Sequence, residues 1–180
     1  VAKLAPEVQV DRSAVAKGYA VDQISTMLTE LGYPSHMVEI GGEVRTGAAK
    51  PEGAAWRIGI ERPDVGAEGL QRLVSLVGLS MASSGNYRNF YVMDGRIFGH
   101  TIDPRTAQPV DHEGASVSVV AEDCAFADAA ATVMMVMGPA EGLRWAEEHG
   151  IAALFIVHED GEFVERATPE FSRLVGADVQ

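Results

Sequence analysis

The sequence predicts an α+β domain, a layered arrangement of mainly antiparallel sheet with packed helices, over residues 1–180. Three observations carry that expectation. Strand-like segments come in pairs joined by tight turns, with Asp94-Gly95 and Asp160-Gly161 as two-residue hairpin signals. Helix-period segments are bunched, at 13–31 and 126–150, and do not alternate one for one with strands as in a doubly wound parallel sheet. The composition is 47% hydrophobic and 22% charged over 180 residues, enough for one sizeable core.

The first element is a helix from Ser13. Val15, Tyr19, Ala20, Ile24, Met27, Leu28 and Leu31 recur at three- and four-residue spacing. Ser13 reads as its N-cap, Gly32 as its stop, and Pro34 follows. MVEI (37–40) reads as a short strand ending at the pair Gly41-Gly42. WRIGIE (56–61), LQRLVSLV (70–77) and LSMAS (79–83) read as strands, and YRNFYVMDGRIFGH (87–100) as a hairpin. DPRTAQP (103–109) is loop between two prolines. ASVSVVA (115–121) is a strand. FADAAATVMMVMG (126–138) and PAEGLRWAEEHG (139–150) are helices, with Pro139 suited to a first turn. IAALFIVH (151–158) is a continuous apolar strand. It turns through Asp160-Gly161 into EFVERA (162–167), and TPEFSRLVG (168–176) closes as a capped helical turn.

Charge and cysteine narrow the function classes. The net charge is -12 and the 14 Lys and Arg are scattered, so nucleic acid is not an expected partner. The single cysteine, Cys124, excludes an internal disulfide framework and a Cys-rich metal site. No run of about 18 apolar residues could span a bilayer as a helix. The chain begins with Val, and the expectation is a processed or trimmed piece from which a leader is absent.

Several residues could carry chemistry. Asp128 and Thr132 stand four apart on an apolar helix, where a carboxylate is costly unless paired. They read either as hard oxygen ligands for Mg²⁺, or as an exposed first-turn Asp and a Thr bonded back to its own helix. DRSAVAKGYAVD (11–22) crowds small residues at a helix start, where anions bind, and Lys17 adds a point charge; it also reads as a plain amphipathic helix. Gly41-Gly42 allow close approach to a planar ligand or simply make a bulge, and Glu39 and Glu43 beside them read as solvated. His100 and Asp103 in GHTIDPRT fit a general base and its neighbour, or a structural His and a turn-starting Asp. No two of the five histidines form an i,i+4 pair of the zinc-protease kind, Cys124 reads as a packed thiol, and Met134, Met135 and Met137 read as core filler.

Taken in order, DRSAVAKGYAVD, VEIGGEVR, WRIGIERP, SSGNYRNFY, HTIDPRTAQPV and SVSVVAEDCAFADAAAT resemble the FAD:protein FMN transferase, or ApbE, family, from about Val10 to about Leu174. The resemblance implies Mg²⁺-dependent transfer of FMN from FAD to a threonine hydroxyl of an acceptor protein, such as a subunit of a membrane redox pump, with release of AMP. It implies metal ligands at Asp128, Thr132 and the Ala14 carbonyl. It implies FAD contacts at Asp11, Lys17, Gly41, Gly42 and the Ile102 backbone. It places His100 near the reacting phosphate, with Asp103 as its orienter. Hydrolysis of FAD to FMN and AMP by a Mg²⁺-dependent pyrophosphatase, or flavin binding without catalysis, are the rival expectations. A periplasmic or membrane-anchored location follows from the resemblance alone. Family members carry a segment ahead of AKG that is expected to be absent here. Ala107 stands where the family has Gly, and Ser13-Ala14 where it often has Gly-Gly, so the turn after Thr106 is expected to differ.

Overall fold

In a computed structural model of the chain, residues 5, 7, 9, 11–64, 69–85, 90–93, 96–99 and 101–175 are described. Their elements run α1 (Ser13–Glu30), β1 (Met37–Ile40), β2 (Glu43–Thr46), β3 (Trp56–Glu61), β4 (Leu70–Leu76), β5 (Ser80–Gly85), β6 (Phe90–Met93), β7 (Arg96–Gly99), β8 (Ile102–Asp103), β9 (Gln108–Pro109), β10 (Gly114–Ala121), α2 (Cys124–Met137), α3 (Pro139–Glu148), β11 (Ala152–Glu159), β12 (Glu162–Ala167) and α4 (Pro169–Val175). Six strands form one sheet in the order β1-β2-β5-β10-β11-β12, and every neighbouring pair is antiparallel. The pairs β3–β4, β6–β7 and β8–β9 are separate two-stranded ribbons. The architecture is the layered, mainly antiparallel α+β arrangement that the sequence predicts.

Both faces of the sheet are covered. Val117, Val119, Ala153, Phe155 and Val157 face Ala127, Ala131 and Met134 of α2 and Ala146 of α3. The alternate residues Val120, Ala152, Leu154 and Ile156 face Ile58, Ile60, Val74 and Leu76 of the β3–β4 ribbon and Phe171 of α4. An antiparallel strand with one wet face alternates in polarity; β11 has no wet face, which is why it reads as an unbroken apolar run. Met134 and Met135 are buried, as core filler should be.

Turn chemistry sets the registers. Asp160 and Gly161 both have positive φ, 49° and 85°, as a type I′ hairpin turn requires. Gly41 and Gly42 do the same at 62° and 99°, pairing Ile40 with Glu43. The glycine pair is thus a hairpin turn and opens a strand, β2, that the sequence reading did not contain. The β6–β7 ribbon pairs Met93 with Arg96 around the predicted Asp94-Gly95, which lies outside the described residues. The DPRTAQP loop holds a small ribbon, Asp103 opposite Gln108, and Ala107 adopts φ 57°. The turn there keeps a glycine-like conformation with an alanine in it.

Two features of α1 differ from expectation. Ser13 is the first helical residue, and the N-cap position, Arg12, makes no side-chain cap bond. The inward face is Gly18, Val21, Asp22 and Ser25, while the periodic apolar residues Tyr19, Met27 and Leu31 are 58%, 50% and 64% exposed. The helix presents small and polar residues to the interior, because close helix contact and hydrogen bonding hold it there.

Candidate active site

Gly18 brings α1 against the start of α2. A Cβ at Gly18 would lie 2.4 Å from the Cys124 carbonyl oxygen and 2.8 Å from Ala125 Cα, so only glycine permits the approach. The Gly18 N–H donates to Asp128 Oδ2 at 3.0 Å. In a regular helix that donor serves the carbonyl four residues back, Ala14. Asp128 and the Ala14 carbonyl therefore converge on one N–H.

Asp128 lies in the second turn of α2 and is 4% exposed, which rules out the exposed first-turn reading. Thr132, one turn on, meets Ser84 Oγ of β5 at 3.4 Å. Around Asp128 stand two further buried carboxylates, Asp22 and Glu43. Asp22 accepts from Arg45 and from the N–H groups of Cys124 and Ala125 at 3.0 and 2.9 Å. It caps α2, whose own N-cap, Asp123, makes no side-chain cap bond. Glu43 is 1% exposed. Its Oε1 accepts from Lys17, and its Oε2 is buried without a partner among the described residues. Burial raises the Glu43 carboxyl above its usual range; Lys17 opposes this and the Asp128 charge adds to it. The Cys124 thiol is pushed up to about 12, first by burial, then by the charges of Asp22, Glu43 and Asp128.

Of these groups, Lys17, Glu43, Ser84, Asp128 and Thr132 line one cleft of about 1080 Å³, large enough for a dinucleotide-sized ligand. Asp11, Ala14, Lys17, Gly41, Gly42, Ile102, Asp128 and Thr132 all contribute to its wall. The Asp11 carboxylate accepts from the backbone and hydroxyl of Ser13, which holds its carboxyl below the usual range. The floor is rich in hydroxyls: Ser83 and Ser118 meet at 2.7 Å, and Ser116 Oγ is buried without a partner among the described residues. Thr101, Ile102 and Pro104 form part of the rim. Asp103, expected to orient His100, gives both carboxylate oxygens to Arg105, with Nε at 3.0 and 3.1 Å, and its carboxyl is held low by that contact. His100 lies outside the described residues. No cluster of three His, Cys, Asp or Glu side chains suited to a metal occurs among the described residues. An ion here would need backbone, hydroxyl, water or ligand oxygens as well.

The sequence pattern of the ApbE family matches residues 1–155. The chain belongs to the ApbE family. It is 38% identical over 173 residues to the FAD:protein FMN transferase of Haemophilus influenzae, covering 96% of this chain and 50% of that protein. It is 40% identical over 166 residues to the FAD:protein FMN transferase of Vibrio cholerae, covering 92% and 50%. Among solved structures, it matches the Pseudomonas stutzeri flavinyl transferase ApbE in its apo form with a TM-score of 0.83 and 42% identity, over 95% of this chain and 53% of that one. The flavin transferase ApbE from Vibrio cholerae matches with a TM-score of 0.82 and 38% identity, over 94% and 53%. The chain spans about half the length of the curated relatives it matches.

In this ApbE-family chain, sequence reasoning passed over Asp22 and took Glu43 for a solvated residue. Their partners lie far away in sequence, Cys124 for Asp22 and Lys17 for Glu43. The usable signal was a Glu and an Arg, at 43 and 45, in a short strand between apolar neighbours. Other histidines are structural. His36 donates Nδ1–H to the Tyr33 carbonyl and accepts from Ser25, and His112 donates Nε2–H to the Met135 carbonyl and accepts from Gly114 N–H.

Proposed function

We propose that this chain carries the catalytic cleft of an FAD:protein FMN transferase, moving FMN from FAD to a threonine hydroxyl of an acceptor protein with AMP as leaving group. The observation that carries the reading is the Gly18 N–H, on which Asp128 and the Ala14 carbonyl converge inside the cleft. The names of its relatives support it, as does the shared wall formed by residues drawn from separate segments.

The donor set fits Mg²⁺. Three buried carboxylates, Asp22, Glu43 and Asp128, are paired with two cations, Arg45 and Lys17. Asp128 is left with a neutral N–H for its bond, and a buried charge so placed calls for a cation. Asp128, Thr132 and the Ala14 carbonyl would hold Mg²⁺, with water and phosphate oxygens completing its shell. Bound there, the ion supplies neutralisation of the charge that develops on the phosphates.

The chain's own groups supply binding and proton handling. Lys17, fixed by Glu43, places a positive charge on the cleft wall for a phosphate. The Gly41-Gly42 turn, without side chains, lets a ligand approach the backbone. Asp11 and the Ile102 backbone, both on the cleft wall, contact FAD. His100 takes the proton of the threonine hydroxyl, a role typically worth roughly 10²–10⁴-fold. Asp103, clamped by Arg105, is the candidate to orient His100. The acceptor, a redox-pump subunit, and a periplasmic location rest on the family resemblance; among the described residues no helix is long and apolar enough to cross a membrane.

The test is a fluorescence gel of a threonine-bearing acceptor after incubation of the full-length protein with FAD and Mg²⁺. Asp128→Ala is expected to abolish labelling while its circular dichroism matches wild type. Full labelling by that variant overturns the metal assignment. AMP release without acceptor identifies FAD hydrolysis instead, and FAD binding with neither product identifies a non-catalytic flavin protein.

A further inference from the structure

Glu43 is a buried acid with half of its bonding capacity unused. It opens β2 directly after the Gly41-Gly42 turn, so the hairpin geometry fixes where its side chain starts. One carboxylate oxygen holds Lys17, and the other, Oε2, has no partner among the described residues although it is buried. The residue lines the same cleft as Ala14, Asp128 and Thr132. A Cβ at Gly41 would stand 3.6 Å from Oε2, an ordinary contact distance, so the glycine turn lies directly against that oxygen. Asp128 is near enough for its charge to act on Glu43.

An ionised carboxylate only accepts hydrogen bonds. A phosphate at neutral pH also accepts, so the two repel when placed in contact. Lys17 is engaged by Oε1. The donor that Oε2 calls for is an O–H, and the strongest O–H donor in such a cleft is water polarised by a divalent ion, several of which Mg²⁺ retains. We infer that Glu43 is a positioning residue for the cleft's divalent cation, with Oε2 accepting a hydrogen bond from a water bound to that ion. This rests on the reading of Asp128, Thr132 and Ala14 as the ion's direct ligands. Glu43 orients the ion's water shell and so fixes the ion against Asp128, while Lys17 occupies its other oxygen. Loss of such an outer partner typically weakens metal binding by roughly 10–100-fold.

The test uses Mn²⁺ alone, titrated into the full-length protein and read by electron paramagnetic resonance, alongside thermal melts in metal-free buffer. In Glu43→Gln the amide oxygen stays with Lys17 and the amide NH₂ turns to the cleft, replacing an acceptor by a donor. Its Mn²⁺ Kd is expected to rise roughly 10-fold or more. Lys17→Met removes the other partner and is expected to leave Mn²⁺ affinity at or above wild type. Wild-type affinity in Glu43→Gln, with binding lost in Asp128→Ala, overturns the inference and leaves Glu43 as a holder of Lys17. Equal weakening in Lys17→Met and Glu43→Gln also overturns it, because the effect then runs through Lys17 whatever the melts show. Wild-type binding in Asp128→Ala overturns the metal assignment itself, and this inference falls with it.

Discussion

Gly18→Ala is expected to destabilise the fold by about 3 kcal/mol and displace Asp128 at once. The added methyl would sit 2.4 Å from the Cys124 oxygen, 2.7 Å from its carbonyl carbon and 2.8 Å from Ala125 Cα, all backbone atoms that cannot swing aside. Ordinary contact begins near 3.4 Å, so α1 and α2 must separate by about 1 Å. Overpacking of this kind costs ~1–3 kcal/mol. Separation also stretches the Gly18 N–H bond to the Asp128 carboxylate, and bonds to charged groups contribute ~1.5–3 kcal/mol. Alanine returns ~1 kcal/mol of helix propensity. The balance is a loss near 3 kcal/mol, or a melting temperature lower by roughly 6–12 °C for a chain of this size. Thermal denaturation followed by circular dichroism in metal-free buffer measures it. A melting temperature at or above wild type would show that the helices do not meet at this glycine and would refute the reasoning.

Three other outcomes follow from the same contacts. Ala107→Gly relieves a left-handed residue, worth roughly 1–2 kcal/mol, against ~0.5–1 kcal/mol of added chain entropy, so a gain of about 0.5 kcal/mol and a melting temperature higher by roughly 1–2 °C are expected; a lower melting temperature contradicts the strained turn. Cys124, buried and with its thiol near 12, should resist iodoacetamide in mildly alkaline buffer until denaturant is added; rapid stoichiometric labelling of the native protein contradicts its burial. Arg105→Ala should move the Asp103 carboxyl back up toward 3.8, read by an NMR titration. Because the folded value lies below the unfolded one, the contribution of this pair is present above pH 3.8 and fades as pH falls through the folded value, so wild type and variant should converge in acid. An unmoved carboxyl would show that Arg105 does not set it.

Local rules made much of the fold legible. Asp160-Gly161 announced its hairpin because two consecutive positive φ angles favour such a pair, and the long apolar run of β11 announced a strand, whose cover on both faces only the packing shows. Gly41-Gly42 carried the same turn signal. The strand after it was hidden because Glu43 and Arg45 look like solvent-facing residues, and their burial depends on Lys17 and Asp22. Helix periodicity located α1 correctly but could not say which face turns inward. Glycine packing and the carboxylate of Asp22 decided that, and both depend on the start of α2. For the candidate site, spacing put Asp128 and Thr132 on one face. It could not show that Asp128 is enclosed, since the enclosing Gly18 lies 110 positions away.

Asp22 supplies the first turn of α2 with the acceptors that its own flanking sequence does not provide, across a separation of 102 residues. The start of that helix is therefore a product of tertiary docking. A peptide covering 123–138 alone should fray at its front, and in refolding the amides of Cys124 and Ala125 should gain hydrogen-exchange protection only when the two ends of this long loop have met.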